Sequence, residues 1–221
     1  MSYLIWLHDP APTLEIEETW YGFRYAGLRN TKAGHRHARI TDFIMPYLTY
    51  IATIPFGGTN CLLMVPIDDD NHWRYSVLMK PMFETAQRIG PPQTGILPRD
   101  KNASNDYMLD RELQRTTNYS GITGGAVVQD QAVTESMGLV YDRTLEHLGT
   151  SDKAIIHMRR LLIAQARALE AGHEPLGTDG TRNFRSIRSA EKILAADEDW
   201  RLLGTDRDPM VERLEVKLPA R

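Results

Sequence analysis

His35 and His37 stand two residues apart in this 221-residue chain. In an extended segment that spacing sends both imidazoles to one face, a geometry that can hold a metal ion. Gly34, Arg36 and Arg39 surround the pair, a setting more typical of the solvated start of a strand. Arg24 and Arg39 fall in stretches that read as strands. Turned inward, each guanidinium would grip a substrate carboxylate through its forked N–H groups; turned outward, each would be solvated. Glu146 and His147 are adjacent, so on a helix they point in different directions, which argues for a surface or interface role rather than an acid–base pair. Cys61 is the single cysteine, which excludes an internal disulfide, a Cys-rich zinc site and a cluster held by several thiolates.

The elements that must position these groups fall into two kinds. From Thr13 to about Val77 the chain reads as strands. Leu14 and Ile16 alternate with Glu15 and Glu17, the aromatic run Trp20 to Tyr25 follows, and Arg39 to Ile54 is a second β-rich stretch. Pro46 is expected at an edge or a bulge, because it cannot donate to a ladder. Cys61 to Val65 and Trp73 to Val77 flank Asp68-Asp69-Asp70-Asn71, which predicts a hairpin. Gln87 to Asn105 has the Gly, Pro, Asn and Asp content of a long loop, suited either to covering a pocket or to a plain surface excursion. A short helix is expected from near Asp130 to Gly138, and a long one from Ser151, as N-cap, to Ala171. Ile155, Met158, Leu162, Ala166 and Leu169 form a stripe on the long helix that should pack on the sheet. The tail from Gly177 is polar, with short apolar patches at Ile193-Leu194 and Leu202-Leu203. Strands followed by a long helix predict an α+β domain whose antiparallel sheet curls around that helix and encloses a cavity.

The bulk numbers exclude several functions. A net charge of -3 argues against nucleic acid as the main partner. The apolar runs are too short for a membrane span, and the opening Met1 to Leu7 has no basic flank of a signal peptide, so the reading places the protein in the cytoplasm. One domain is expected over residues 13–175, after a 1–12 segment and before a 176–221 tail packed on it.

Three stretches resemble the C-terminal half of the phthalate dioxygenase-like Rieske oxygenases: Val65-Pro66-Ile67-Asp68-Asp69, Asn105-Asp106-Tyr107-Met108-Leu109-Asp110-Arg111, and Tyr119-Ser120-Gly121-Ile122-Thr123-Gly124. The longest resemblance follows, over Gln129-Asp130-Gln131-Ala132-Val133-Thr134-Glu135-Ser136-Met137-Gly138 and Asp142 to Asp152. It implies a helix-grip fold, a mononuclear Fe(II) held by two His and one carboxylate, and Asp130 as that carboxylate. Taken without the resemblance, Asp130 is a candidate helix cap. It could also join His35 and His37 in a different two-His-one-carboxylate site.

The sequence departs from that family in two places. None of its seven histidines has the Asp-x-x-His-x(4–5)-His spacing of the other iron ligands, and Cys61 lacks the Cys-x-His and Cys-x-x-His pairs that hold a Rieske [2Fe-2S] cluster. The resemblance therefore implies a truncated gene product or one piece of a split oxygenase, inactive alone. Its partners would be an N-terminal Rieske piece, a reductase, further copies in a ring of three built partly through Asp142-Arg143 and Arg159-Arg160, and an aromatic, carboxylated substrate. Tyr107, Tyr119 and Met137 are expected to pack in the core near Asp130. The competing reading is a helix-grip module that binds a small apolar ligand without metal, or an inactive remnant.

Overall fold

Alternation at the start of the chain becomes an antiparallel meander. The computed structural model describes residues 5, 7–31, 34–53, 58–79, 100–178, 180 and 182–205. In it β1 (Thr13–Thr19), β2 (Gly22–Asn30), β3 (Arg36–Ile44), β4 (Leu48–Thr53), β5 (Gly58–Pro66) and β6 (His72–Met79) lie side by side in chain order. A late strand, β7 (Glu191–Leu194), pairs with Arg36 to Arg39 of β3, so β3 shares one edge between β7 and β4. All of these pairings are antiparallel.

The run expected from Arg39 to Ile54 is two strands rather than one. Pro46 lies in the turn between them and not in a ladder, where its missing N–H costs nothing. The predicted hairpin is present. Asp68 holds its turn by accepting the backbone N–H groups of Asp70 and Asn71 at 2.9 and 2.7 Å. Most of the loop expected over Gln87 to Asn105 lies outside the described residues.

The helices among the described residues include α1 (Arg111–Thr116), α2 (Ala126–Ser136) and α3 (Lys153–Glu170). The chain divides into two compact units, Met1–Ala86 with His147–Arg221, and Gln87–Glu146. The sheet, α3 and the tail belong to the first unit, and α1 and α2 to the second.

Helix α3 begins later than expected. Ser151 sits in a short 3-10 turn, and Asp152 is the N-cap, its carboxylate accepting the Gly149 N–H at 2.8 Å. The buried side also differs from the expected stripe. Ala154, Met158, Leu161 and Leu162 pack on Phe23 and Phe43, whereas Ile155 and Leu169 are 42% and 58% exposed. Apolar residues occur on several sides of α3, so their period predicts a helix without selecting the side that the sheet covers.

Side chains alternate along β2 and β3, and both faces of these strands are buried. One is a helix face, where α3 covers Phe23 and Phe43. The other is a tail face, where Leu194, Trp200 and Leu203 cover Ala26, Leu28, Ala38 and Ile40. The tail is thus not simply polar: Trp200 is 1% exposed, and its indole N–H donates to Glu15 Oε2 at 2.7 Å. Gly204 closes this layer with φ +69, where a Cβ would lie 2.1 Å from the Arg188 carbonyl oxygen.

A buried acid sits on the tail face. Tyr21 donates its hydroxyl to Asp42 Oδ1 at 2.5 Å, and Asp42 Oδ2 has no hydrogen-bond partner among the described residues. Burial pushes the Asp42 carboxyl up to about 7, against the opposing Tyr21 hydrogen bond and the Arg24 charge. Burial and Asp42 together hold the Tyr21 phenol above its usual range. A raised carboxyl keeps its proton in the fold after the unfolded chain has lost it, so this contribution to stability is full below about pH 4 and is lost as pH rises through about 7. Asp42→Asn is therefore expected to flatten the decline in Tm between pH 5 and pH 8, by an amount on the order of a few kcal/mol in stability. Thermal melts across that range check it, and equal pH profiles for the two proteins would contradict it.

Candidate functional site

Asp130 is set by the way α2 packs in its own unit. The helix starts at Ala126, with Gly125 at φ +84 as its N-cap, so Asp130 lies within the helix and does not cap it. That removes the capping role expected from a helix beginning near Asp130. Ala132 packs with Tyr107 and Ile122 in the core, with Val128 against them. Tyr107 donates its hydroxyl to Glu135 Oε2 at 2.8 Å, and Gln129 Nε2 donates to the Ile122 carbonyl at 3.2 Å. Gly121, at φ +71, approaches so closely that a Cβ would lie 2.5 Å from the Asp110 carbonyl oxygen.

These contacts turn Asp130 away from that core, and the residue is exposed. Around it at three- and seven-residue steps stand Val127, Val133 and Met137, which are 56%, 64% and 46% exposed. No hydrogen bond or ion pair reaches its carboxylate among the described residues. One carboxylate in an apolar, uncovered helix side is an arrangement that, once covered, requires a cation or a hydrogen-bond donor opposite it. Of the residues expected to pack nearby, Tyr107 does so, but Tyr119 is 98% exposed and Met137 belongs to the exposed side.

The arginines divide between the two faces of the sheet. Arg39 is on the helix face, and its Nε and Nη2 donate to the Ala52 carbonyl at 3.2 and 3.1 Å. Arg24 is on the tail face, away from α3, and is buried there rather than solvated. Its Nε donates to Glu17 at 2.6 Å, its Nη1 to the Leu203 carbonyl at 2.8 Å and its Nη2 to the Arg201 carbonyl, with the guanidinium 5.5 Å from the Trp200 ring. Arg24 fastens the tail to the sheet.

His35 and His37 are not presented together. His35 precedes β3 and is exposed, while His37 is 2% exposed and its Nε2 lies 2.5 Å from Glu191 Oε1 on β7. No group of three or more His, Cys, Asp or Glu able to hold a metal occurs among the described residues. Asp142 is not paired with Arg143. It accepts the Thr144 side-chain and backbone donors, which hold its carboxyl below the usual range, and Arg143 lies 3.6 Å from Glu146. Glu146 and His147 follow a short 3-10 turn rather than lying on a helix.

An antiparallel sheet with a long helix across one face defines an α+β domain of helix-grip type. The chain belongs to the family described as LigXa C-terminal domain like, whose match covers residues 3–217. It is 34% identical to the phthalate 4,5-dioxygenase oxygenase subunit of Pseudomonas putida over 207 residues, which is 87% of this chain and 46% of that protein. It is 29% identical to the 3-chlorobenzoate-3,4-dioxygenase oxygenase subunit of Comamonas testosteroni over 215 residues, 86% of this chain and 49% of that protein. The chain spans about half the length of these relatives. No helix among the described residues is long and apolar enough to cross a membrane.

Sequence reasoning missed three features: the Trp200 anchor, the Tyr21–Asp42 pair and the apolar side of α2 that carries Asp130. Only the last had a local signal, in the spacing of Val127, Val133 and Met137 about Asp130.

Proposed function

We propose that this chain is the catalytic, substrate-binding portion of a Rieske-type non-haem iron oxygenase, with Asp130 the carboxylate ligand of a mononuclear Fe(II). The observation that carries the proposal is Asp130, its carboxylate unpaired among the described residues, on an apolar side of α2 that no described residue covers. Its donor chemistry fits, because a hard carboxylate oxygen suits ferrous iron and supplies one of the three protein positions of a two-His-one-carboxylate site. The two histidines and the ligands of the [2Fe-2S] cluster come from the polypeptide corresponding to the other half of the relatives. The chain is therefore inactive alone. When bound, iron supplies dioxygen activation, and the cluster supplies electrons drawn from a reductase.

This chain's own residues place the parts. Asp130 offers its carboxylate, and Val127, Val133 and Met137 exclude water from that carboxylate once they are covered. Both relatives are named for a carboxylated aromatic compound, which supports an aromatic acid as substrate. Arg39, on the helix face, is the arginine we assign to the substrate carboxylate. The assembled enzyme contains several copies of the chain and works in the cytoplasm.

The test is co-expression with a polypeptide carrying Cys-x-His, Cys-x-x-His and Asp-x-x-His-x(4–5)-His. With a reductase present, the assembly is expected to consume dioxygen in step with hydroxylation of phthalate or 3-chlorobenzoate. An assembly that forms and holds its cluster, yet hydroxylates neither acid nor benzoate, would contradict the proposal.

A further inference from the structure

A groove of about 570 Å³ runs between β1, the outer strand of the sheet, and the first two turns of α3. All of its lining belongs to the unit formed by Met1–Ala86 and His147–Arg221. The volume falls in the range of about 300–1,000 Å³ that takes a small organic ligand. Its walls are aliphatic: Ile16 comes from β1, Leu148 from the approach to the helix and Ile156 from α3, and no Phe, Tyr or Trp lines it among the described residues.

Basic side chains stand along the helical wall. Lys153, His157 and Arg160 recur at four- and three-residue steps, so they share one side of α3, and the outer two are two turns apart, about 10 Å. Lys153 and Arg160 are exposed, and Lys153 donates to the Leu14 carbonyl at 3.4 Å, which leaves its other N–H groups to serve a ligand. His157 brings a polar atom deeper. Its ring stands edge-on to Phe23 at 4.8 Å, and its Nε2 is buried with no hydrogen-bond partner among the described residues. A ligand oxygen accepting from that nitrogen would recover the free energy its burial costs. Glu18 lies 4.0 Å from it, beyond hydrogen-bond reach, with its own side chain 83% exposed. Asp152, beside Lys153, is taken up in accepting the Gly149 N–H.

Aliphatic walls along one side and basic groups along the other call for a ligand with the same division, an apolar chain ending in an anion. Lysine and arginine donate strongly to a carboxylate, and branched aliphatic side chains without rings suit an extended alkyl chain laid along the groove. We propose that the β1–α3 groove is a binding site for a straight-chain aliphatic carboxylate. The chain lies on Ile16, Leu148 and Ile156, and the carboxylate sits among Lys153, His157 and Arg160. The site is separate from the one assigned to the aromatic acid, because Arg39 is on β3, two strands in from β1, and does not line the groove. It therefore does not rest on the function proposed above.

Calorimetric titration of the purified full chain with octanoate tests it, beside 1-octanol, which has the chain without the charge, and acetate, which has the charge without the chain. Octanoate is expected to bind at one site per chain, and each control about tenfold more weakly or less. Lys153→Gln with Arg160→Gln should weaken octanoate about tenfold or more and leave octanol unchanged. Both residues are exposed, so the fold is expected to persist, and thermal melts check that it does. His157→Phe keeps a ring against Phe23, removes the unpartnered nitrogen and should weaken octanoate severalfold. Phthalate at the same concentration should not displace octanoate. No octanoate binding, many weak sites, equal binding of either control, or unchanged affinity in either variant overturns the proposal, and so does displacement by phthalate, which would make the groove part of the aromatic-acid site. Hydroxylation by the assembled oxygenase is read separately, so failure here leaves the proposed function standing.

Discussion

Trp200→Ala is expected to remove about 3–5 kcal/mol of folding stability, the range for truncating a buried aromatic side chain. The indole is 1% exposed and packs among Leu194, Leu203 and the sheet residues Ala26, Leu28, Ala38 and Ile40. It also stands against two guanidiniums, with Arg24 and Arg201 at 5.5 and 4.9 Å from the ring. Truncation opens a cavity beside Arg24, whose bonds to the Leu203 and Arg201 carbonyls hold the tail down, so cavity and clamp fail together. For a chain of this size that loss corresponds to a fall in Tm of about 10 °C or more. Trp200→Phe keeps most of the apolar volume and loses the indole N–H bond to Glu15, so it should cost only about 1–2 kcal/mol beyond repacking. Thermal melts of the two variants check the ranking, and an alanine variant within 1 kcal/mol of wild type would show that the tail layer does not stabilise the sheet.

Why the sequence anticipates some of this and not the rest follows from the range of the interactions. The Leu14 to Glu17 alternation and the Asp68 turn are local patterns, and each specifies its strand or hairpin within a few residues. Helix α3 is local too, but its buried side is chosen by Phe23 and Phe43 more than a hundred positions earlier. Trp200 sits among Asp199, Arg201 and Asp197, so its neighbourhood reads as polar, and its hydrogen-bond partner Glu15 lies 185 residues away. Arg24 was legible as a strand residue but not as a tail anchor, because the carbonyls it binds come from the same distant segment. Asp130 stood out through resemblance to a family, and the packing of Ala132, Val128 and Tyr107 supplies the physical reason that it faces away from its unit's core.

In the assembly with the cluster-bearing polypeptide, Asp130→Ala is expected to abolish binding of the mononuclear iron. On the proposed ligand set two imidazoles would remain and the metal would lose its only anionic protein donor, and removing a first ligand typically weakens a site far more than the 10–100-fold seen for outer-shell changes. The substitution should not disturb folding, since the residue is exposed, its carboxylate bonds to no described side chain, and alanine suits a helix interior. Its apolar neighbours Val127, Val133 and Met137 are left unchanged by the substitution. The decisive measurement is iron content beside the visible spectrum of the cluster, in wild-type and Asp130→Ala assemblies. The account predicts an unchanged cluster spectrum with the iron beyond the cluster lost, and an Asp130→Ala assembly that keeps its full complement of that iron would contradict it.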